Sequence, residues 1–151
     1  MAVIHLKIST KGRYGLRAMI DLAVNSTEEH IPLSTIAENQ QVSVSYLEQV
    51  FSVLRKAGLV KSIKGAQGGY ILGDQPYNIT VGMVLRVLEG DLHVVEEQEK
   101  DKSDKMQYCI QKNVWDKINN CINELVDDIT LEDLAVKYQK MNGMDNHMYY
   151  I

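Results

Sequence analysis

Between residues 45 and 72 the sequence sets a short amphipathic helix directly before two β-prone runs joined by a basic, glycine-rich segment. Few folds accept that order in so little chain. Ser45-Tyr46-Leu47-Glu48 has the S-x-x-E form of a capping box, and Leu47, Val50, Phe51 and Leu54 follow at i, i+3, i+4 and i+7. The spacing predicts a helix that begins at Ser45, buries this stripe, turns Tyr46 and Gln49 outward and is capped at its end by Gly58. Residues 59–63 and 70–72 then read as a hairpin with Lys64-Gly65-Ala66-Gln67-Gly68-Gly69 at its tip. The tip is not a nucleotide loop. A P-loop needs G-x-x-x-x-G-K-[ST] between a strand and a helix, and a dinucleotide fingerprint needs G-x-G-x-x-G in the same setting; this segment has neither spacing and joins strand to strand.

Helical spacing continues on both sides. Leu16, Met19, Ile20 and Ala23 predict a helix over 9–25 capped by Ser9 or Thr10, and Leu33, Ile36 and Ala37 a brief second one capped by Ser34 and ending near Gln40. Beyond the hairpin, Thr80 caps a helix carrying Val81, Val84, Leu85 and Leu88, stopped by Gly90. Residues 91–105 are mostly charged and aperiodic, a linker. From 106 to 129, Met106, Ile110, Val114, Ile118, Ile122 and Leu125 recur every three or four positions, a rod of roughly 35 Å at the α-helical rise. A small helical core does not cover that length, so a second apolar face bearing Trp115 is expected to meet another chain. Thr130-Leu131-Glu132-Asp133 caps a short last helix, and the apolar ending Met148-Tyr149-Tyr150-Ile151 is expected to dock on the body. The expected fold is mainly α with a small β-hairpin wing: a winged helix-turn-helix over 7–90, a linker over 91–105, and a long C-terminal dimerisation helix with its tail over 106–151.

Charge divides along the same line. The chain is 45% apolar and 24% charged with a net charge of −4. Residues 1–90 hold nine Lys/Arg against seven Asp/Glu, whereas 91–151 hold seven against thirteen. No acid lies between Glu48 and Asp74, where Arg55, Lys56, Lys61 and Lys64 all fall, so a local positive field survives the acidic total. No apolar run approaches the ~18 residues of a membrane span, and residues 1–6 lack the form of a secretory signal. The expected location is the cytoplasm, with no membrane partner and with Cys109 and Cys121 reduced.

Such an arrangement suits double-stranded DNA. A helix fits the major groove, where Ser43, Ser45, Tyr46 and Gln49 can reach base edges or phosphates, and a light hairpin tip lets Lys64 and Gln67 reach a phosphate or the minor groove. Lys11, Arg13 and Tyr14 on the first helix and Lys61 on the hairpin are further candidates. Each has a structural reading beside the functional one: the serines as caps, Glu48 as the partner in the capping box, Tyr14 as core, Lys61 as a solvated charge.

SVSYLEQVFSVLRKAGLVKSIKGAQGGYILG, with STKGRYGL near the start and ITLEDL near the end, resembles the Rrf-two (Rrf2) family of bacterial transcription regulators over about residues 7–138. The resemblance implies a homodimeric winged-helix repressor whose long helix crosses between subunits, with Ser43, Ser45, Tyr46, Glu48 and Gln49 on DNA and the wing in the minor groove. Ile110, Val114, Trp115, Ile118, Ile122 and Leu125 are the expected dimerisation residues. Where members often have arginine in the wing this chain has Lys64, which keeps the charge and loses the planar fork.

Many members hold an iron–sulfur cluster on three cysteines and often a histidine after the fourth helix. Here 91–108 contain no cysteine, Cys109 stands at the last ligand position, and Lys112 replaces the histidine. One thiolate does not hold a cluster that takes four ligands, so no cofactor or metal is expected. The clusterless pattern and the ending MYYI look most like the family's cysteine-metabolism branch, which implies cysteine synthase as a co-regulating partner. Cys109 and Cys121, about 18 Å apart on one straight helix, are too distant for an intrachain disulfide. A bond between subunits or a sulfenic acid is left as redox chemistry, and a place in the helix seam as the structural reading. The rival functions are a redox- or iron–sulfur-sensing regulator of the same family, a protein-interaction module that binds no DNA, and a thiol enzyme. The last is disfavoured because neither cysteine has an activating base beside it.

Overall fold

A computed structural model of the chain describes residues 7–26, 29–95 and 103–149, without the side chains of 144–149. The expected docking of the apolar tail therefore lies outside the described residues. Helix α1 spans Thr10–Asn25 and is capped by Ser9, whose hydroxyl accepts from the Gly12 amide at 3.3 Å. Helix α2 spans Leu33–Gln40. Its first turn hangs on the Pro32 carbonyl, which accepts from Thr35 and Ile36, and not on a Ser34 cap. Proline at that point already has φ −58°, close to the helical value, so the turn forms two residues earlier than a Ser34 cap would set it. Gln41 ends α2 in the left-handed region at φ 56° and reverses the chain within three residues.

Helix α3 spans Val44–Lys56. It is capped by Ser43, which accepts from the Tyr46 amide at 3.1 Å, and Ser45 lies inside the first turn. The expected capping box is thus replaced by a cap two residues upstream, and Glu48 stands exposed outside it. Both serines satisfied the sequence rule; Ser43 wins because its extended backbone aims the hydroxyl at the turn's open amides. At the other end Gly58, at φ 79°, bonds the Arg55 carbonyl while Leu59 bonds that of Leu54, a Schellman closure that releases the chain directly into a strand.

Strands β1 (Val60–Ile63) and β2 (Gly69–Leu72) pair antiparallel with Val60 opposite Leu72 and Ile63 opposite Gly69. Ile31 exchanges two backbone hydrogen bonds with Tyr70, at 2.9 and 2.8 Å, and ties the wing to the turn before α2. That contact requires glycine at 69, where a Cβ would meet the Ile31 carbonyl oxygen at 2.5 Å. The Tyr70 ring packs edge-on against Phe51 of α3 at 4.8 Å between centroids.

Thr80 caps α4 (Val81–Glu89), and Gly90 ends it. The residues just after it are held to the body. Leu92 is buried, the Val94 amide donates to Asn119, and Asn123 donates to the Leu92 carbonyl. Helix α5 (Lys105–Ile110) continues through a wide π turn over Gln111–Trp115 into α6 (Asp116–Asp128), one uninterrupted rod with a local phase shift. Helix α7 spans Leu131–Tyr149 and is far from short. Thr130 and Asp133 cap it reciprocally, at 3.1 and 3.0 Å. Its first turns rejoin the main core through Leu131 and Ala135, and the Ile79 and Ile129 carbonyls accept from Leu131 and Val81.

Arg86 of α4 grips α6, with its two Nη groups on both Asp127 oxygens at 2.6 and 2.8 Å and on Asn123 at 2.7 Å. These hydrogen bonds hold the Asp127 carboxyl below its usual 3.8, against a smaller opposing effect of desolvation. Because the folded value is depressed, the pair stabilises fully above pH 3.8 and loses its contribution as pH falls through the folded value. The pair is half exposed, so Asp127→Asn should cost about 0.5–1 kcal/mol in urea unfolding at neutral pH and nothing in strong acid.

Candidate nucleic-acid interface

With Leu47, Val50, Phe51 and Leu54 buried, α3 presents Ser45, Glu48 and Gln49 to solvent, and the Ser43 cap is exposed at its entry. Tyr46 departs from expectation. Its ring is half-buried against the core and meets Tyr14 of α1 edge to face, at 6.3 Å and 87°, and its hydroxyl is buried without a hydrogen-bond partner among the described residues. The phenol is too large to remain upright beside Leu47 when an aromatic edge on α1 offers cover, so the residue joins α1 to α3 and does not stand outward. Tyr14 is correspondingly half-buried.

On the wing, Lys61 is exposed where β1 alternates away from buried Val60, and Lys64 and Gln67 are exposed at the tip. Gly65, at φ 129°, makes the tip turn with the Gly68 amide on its carbonyl at 3.0 Å. The Gln67 carbonyl is bonded by the His30 ring, a second tie from the α1–α2 connection to the wing that sequence reading missed. On α1, Arg13 is exposed and donates to Thr10, and Lys11 is half-buried. Sequence reading also missed Arg17. It lies one helical repeat beyond Thr10 and Arg13 on the same face, and its periodicity from Arg13 and Tyr14 was the available signal.

This arrangement, a capped helix with a polar outer face, a preceding helix set by a tight turn, and a basic hairpin at its end, is a winged helix-turn-helix. A family model described as an iron-dependent transcriptional regulator, Rrf2, matches residues 8–137. The chain belongs to the Rrf2 family. It is 48% identical to the transcriptional regulator CymR of Bacillus subtilis over 146 residues, covering 97% of this chain and 100% of that one. The solved structure of CymR, called the global cysteine regulator of B. subtilis, matches with a TM-score of 0.75 at 47% identity, over 87% of this chain and 97% of that one. The structure of IscR from T. potens matches with a TM-score of 0.71 at 46% identity, over 89% and 90%. The winged helix is accordingly that of a DNA-binding transcriptional regulator in the Rrf2 family, and the interaction-module reading is not favoured.

Family membership raises iron, and the donor set decides whether it fits. The sequence has two cysteines, both exposed and on one continuous helix. Among the described residues no three His, Cys, Asp or Glu side chains converge as a metal site. Cys109 has Asn113 at its sulfur and carbonyl, a hydrogen-bond donor and not a ligand. These residues do not fit a cysteine-held cluster.

Tyr46 supplies a test of the packing. Removing a buried hydroxyl that lacks a partner relieves desolvation, so Tyr46→Phe should leave the unfolding free energy unchanged or raise it by up to about 1 kcal/mol. Tyr46→Ala should lower it by about 3 kcal/mol.

Proposed function

We propose that this Rrf2-family regulator works as a homodimeric repressor that binds a two-fold related operator in the cytoplasm, without an iron–sulfur cluster and without catalysis. The observation that carries the dimer is the exposed apolar seam of the α5–α6 rod. Ile110, Val114, Ile118 and Leu125 are 38%, 39%, 37% and 63% exposed, with Cys121 exposed among them. Large aliphatic side chains in a continuous stripe on a charged protein mark a protein contact, and a second copy of the same helix meets it with the same stripe. Two of the residues expected in that contact are less exposed than these four. Ile122 packs on Val81, Leu85 and Leu92 of its own chain, and Trp115 is half-buried. The π turn between Ile110 and Asp116 shifts the phase of the rod, so a strict three-or-four count from Met106 overstates which side chains stay on one face.

Two joined winged helices present two α3 helices to DNA, so the operator is expected to be palindromic or nearly so. Ser43, Ser45, Glu48 and Gln49 are the residues for the major groove, and Lys61, Lys64 and Gln67 those for the wing's contact. Cys109 and Cys121 are exposed, and a thiol on the dimer seam is placed for a bond between subunits or for oxidation to a sulfenic acid. The similarity to a cysteine regulator supports a signal drawn from sulfur metabolism, with cysteine synthase as the co-regulating protein. Among the described residues no helix is long and apolar enough to cross a membrane, in keeping with a cytoplasmic regulator.

Light scattering on the eluted protein should give twice the 17.1 kDa chain mass, and Ile118→Glu should return the single-chain mass. The same variant should bind operator duplex at least ~100-fold more weakly, because the two half-sites are no longer engaged together. A wild-type protein that elutes as a single chain yet holds a palindromic duplex tightly overturns the dimer.

A further inference from the structure

Asp21 is a carboxylate sealed in the body, 7% exposed, on α1. Among the described residues it accepts hydrogen bonds only from amides: Asn25 at 2.8 Å, Asn39 at 3.2 Å and Gln40 at 2.8 Å. Gln40 is the last residue of α2, and the left-handed Gln41 beyond it turns the chain away toward Ser43. With its amide nitrogen fixed on Asp21, Gln40 has its oxygen aimed at α1, where it accepts from Nε of Arg17 at 3.0 Å. The Arg17 guanidinium also lies over the Tyr14 ring, 5.8 Å from its centroid, and that ring meets Tyr46 in the first turn of α3.

The charge on Arg17 is not neutralised by this network. Asp21, four residues on and the natural ion-pair partner along a helix, is occupied by three amides, and no ion pair to Arg17 occurs among the described residues. Nε carries the bond to Gln40, the residue is exposed, and no hydrogen bond from either Nη group occurs among the described residues, so both remain as donors near Tyr14, which meets the first turn of α3. A guanidinium held at Nε and on one face has lost most of its rotational freedom, so less entropy is lost when its outer edge takes a bidentate acceptor.

We propose that Arg17 is a phosphate-binding residue of the interface, oriented for DNA by Gln40, which is itself fixed by buried Asp21. The proposal rests on the reading of this winged helix as a DNA-binding module and adds to it a contact on α1 with its positioning partner. Arg13, four residues earlier on the same face of α1 and also exposed, adds a second positive charge beside it. The contact is to the backbone, so it acts on any duplex sequence.

The test is fluorescence anisotropy with a labelled random-sequence duplex, titrated over a range of potassium chloride concentrations. Arg17→Ala should weaken binding about 3- to 10-fold and lower the slope of log K against log salt by about one for each protomer bound. Arg17→Lys should keep the slope, since the charge remains, and recover only part of the affinity. Gln40→Ala should weaken binding in the wild-type background and have no further effect once Arg17 is alanine. An Arg17→Ala titration that superimposes on wild type in both affinity and slope overturns the proposal and leaves DNA binding standing. Equal loss from Gln40→Ala in both backgrounds removes its positioning role. A wild-type protein with no affinity for duplex even at low salt overturns the proposal together with the reading beneath it.

Discussion

The burial of one face of α3 governs the molecule. Leu47, Val50, Phe51 and Leu54 are each at most 1% exposed and meet Met19, Leu22 and Ile36 from the two preceding helices. At roughly 1.5–3 kcal/mol each, the four contribute an amount comparable with the whole net stability of a domain of this size. Any rotation of α3 that altered its outer face would expose them and unfold the protein. Ser45, Glu48 and Gln49 therefore face outward by necessity. The Schellman closure at Gly58 then sends the chain into β1 two residues later, so the wing's position follows from the same packing.

What could be read in the sequence was what a local period encodes. The stripes of α1, α3 and α4, the glycine stops and the hairpin all depend on residues within a few positions of one another. What the sequence left ambiguous depends on choices between adjacent candidates or on contacts from distant segments. Ser43 and Ser45 both satisfy the capping rule, and only the backbone at Ser43 distinguishes them. Tyr46 sits where a helical count turns it outward, yet its cover comes from Tyr14, thirty-two positions earlier. Arg17 and Gln40 are twenty-three positions apart, and neither carries a local mark of the pairing. The long rod was legible as a rod. Its seam was less so, because a π turn resets the count and because the α4 face that claims Ile122 is remote in sequence.

The matching family model is described as iron-dependent, but this chain offers two thiols, both on the rod, and no converging third donor among the described residues. Residues 91–95 are fixed by side-chain amides from α6, Asn119 on Val94 and Asn123 on Leu92. Asparagines four apart lie on one helical face, so a pair of neutral amides here holds the loop against the rod.

Helix α4 lies between that rod and the DNA-facing helices and is fastened at both ends. On one side Arg86 holds Asp127 and Asn123 of α6, and Gly82 admits this contact because a Cβ there would collide with the Asp127 carboxylate. On the other, the Glu89 carboxylate accepts from the Ser9 amide and hydroxyl and from the Gly12 amide, at the start of the helix that carries Arg13, Tyr14 and Arg17. A carboxylate at a helix N-terminus complements both the open amides and the dipole, so the joint resists separation. A displacement of α6 against α4 must then either break the Arg86 fork or carry α4 and the start of α1 with it. Breaking the fork leaves Arg86 half-buried without its carboxylate, whereas moving α4 as a body keeps both joints intact. The first course involves the smaller loss, because Val84 and Leu88 of α4 are buried in the core shared with α1 and α3, whereas a half-exposed ion pair contributes only about 0.5–1 kcal/mol.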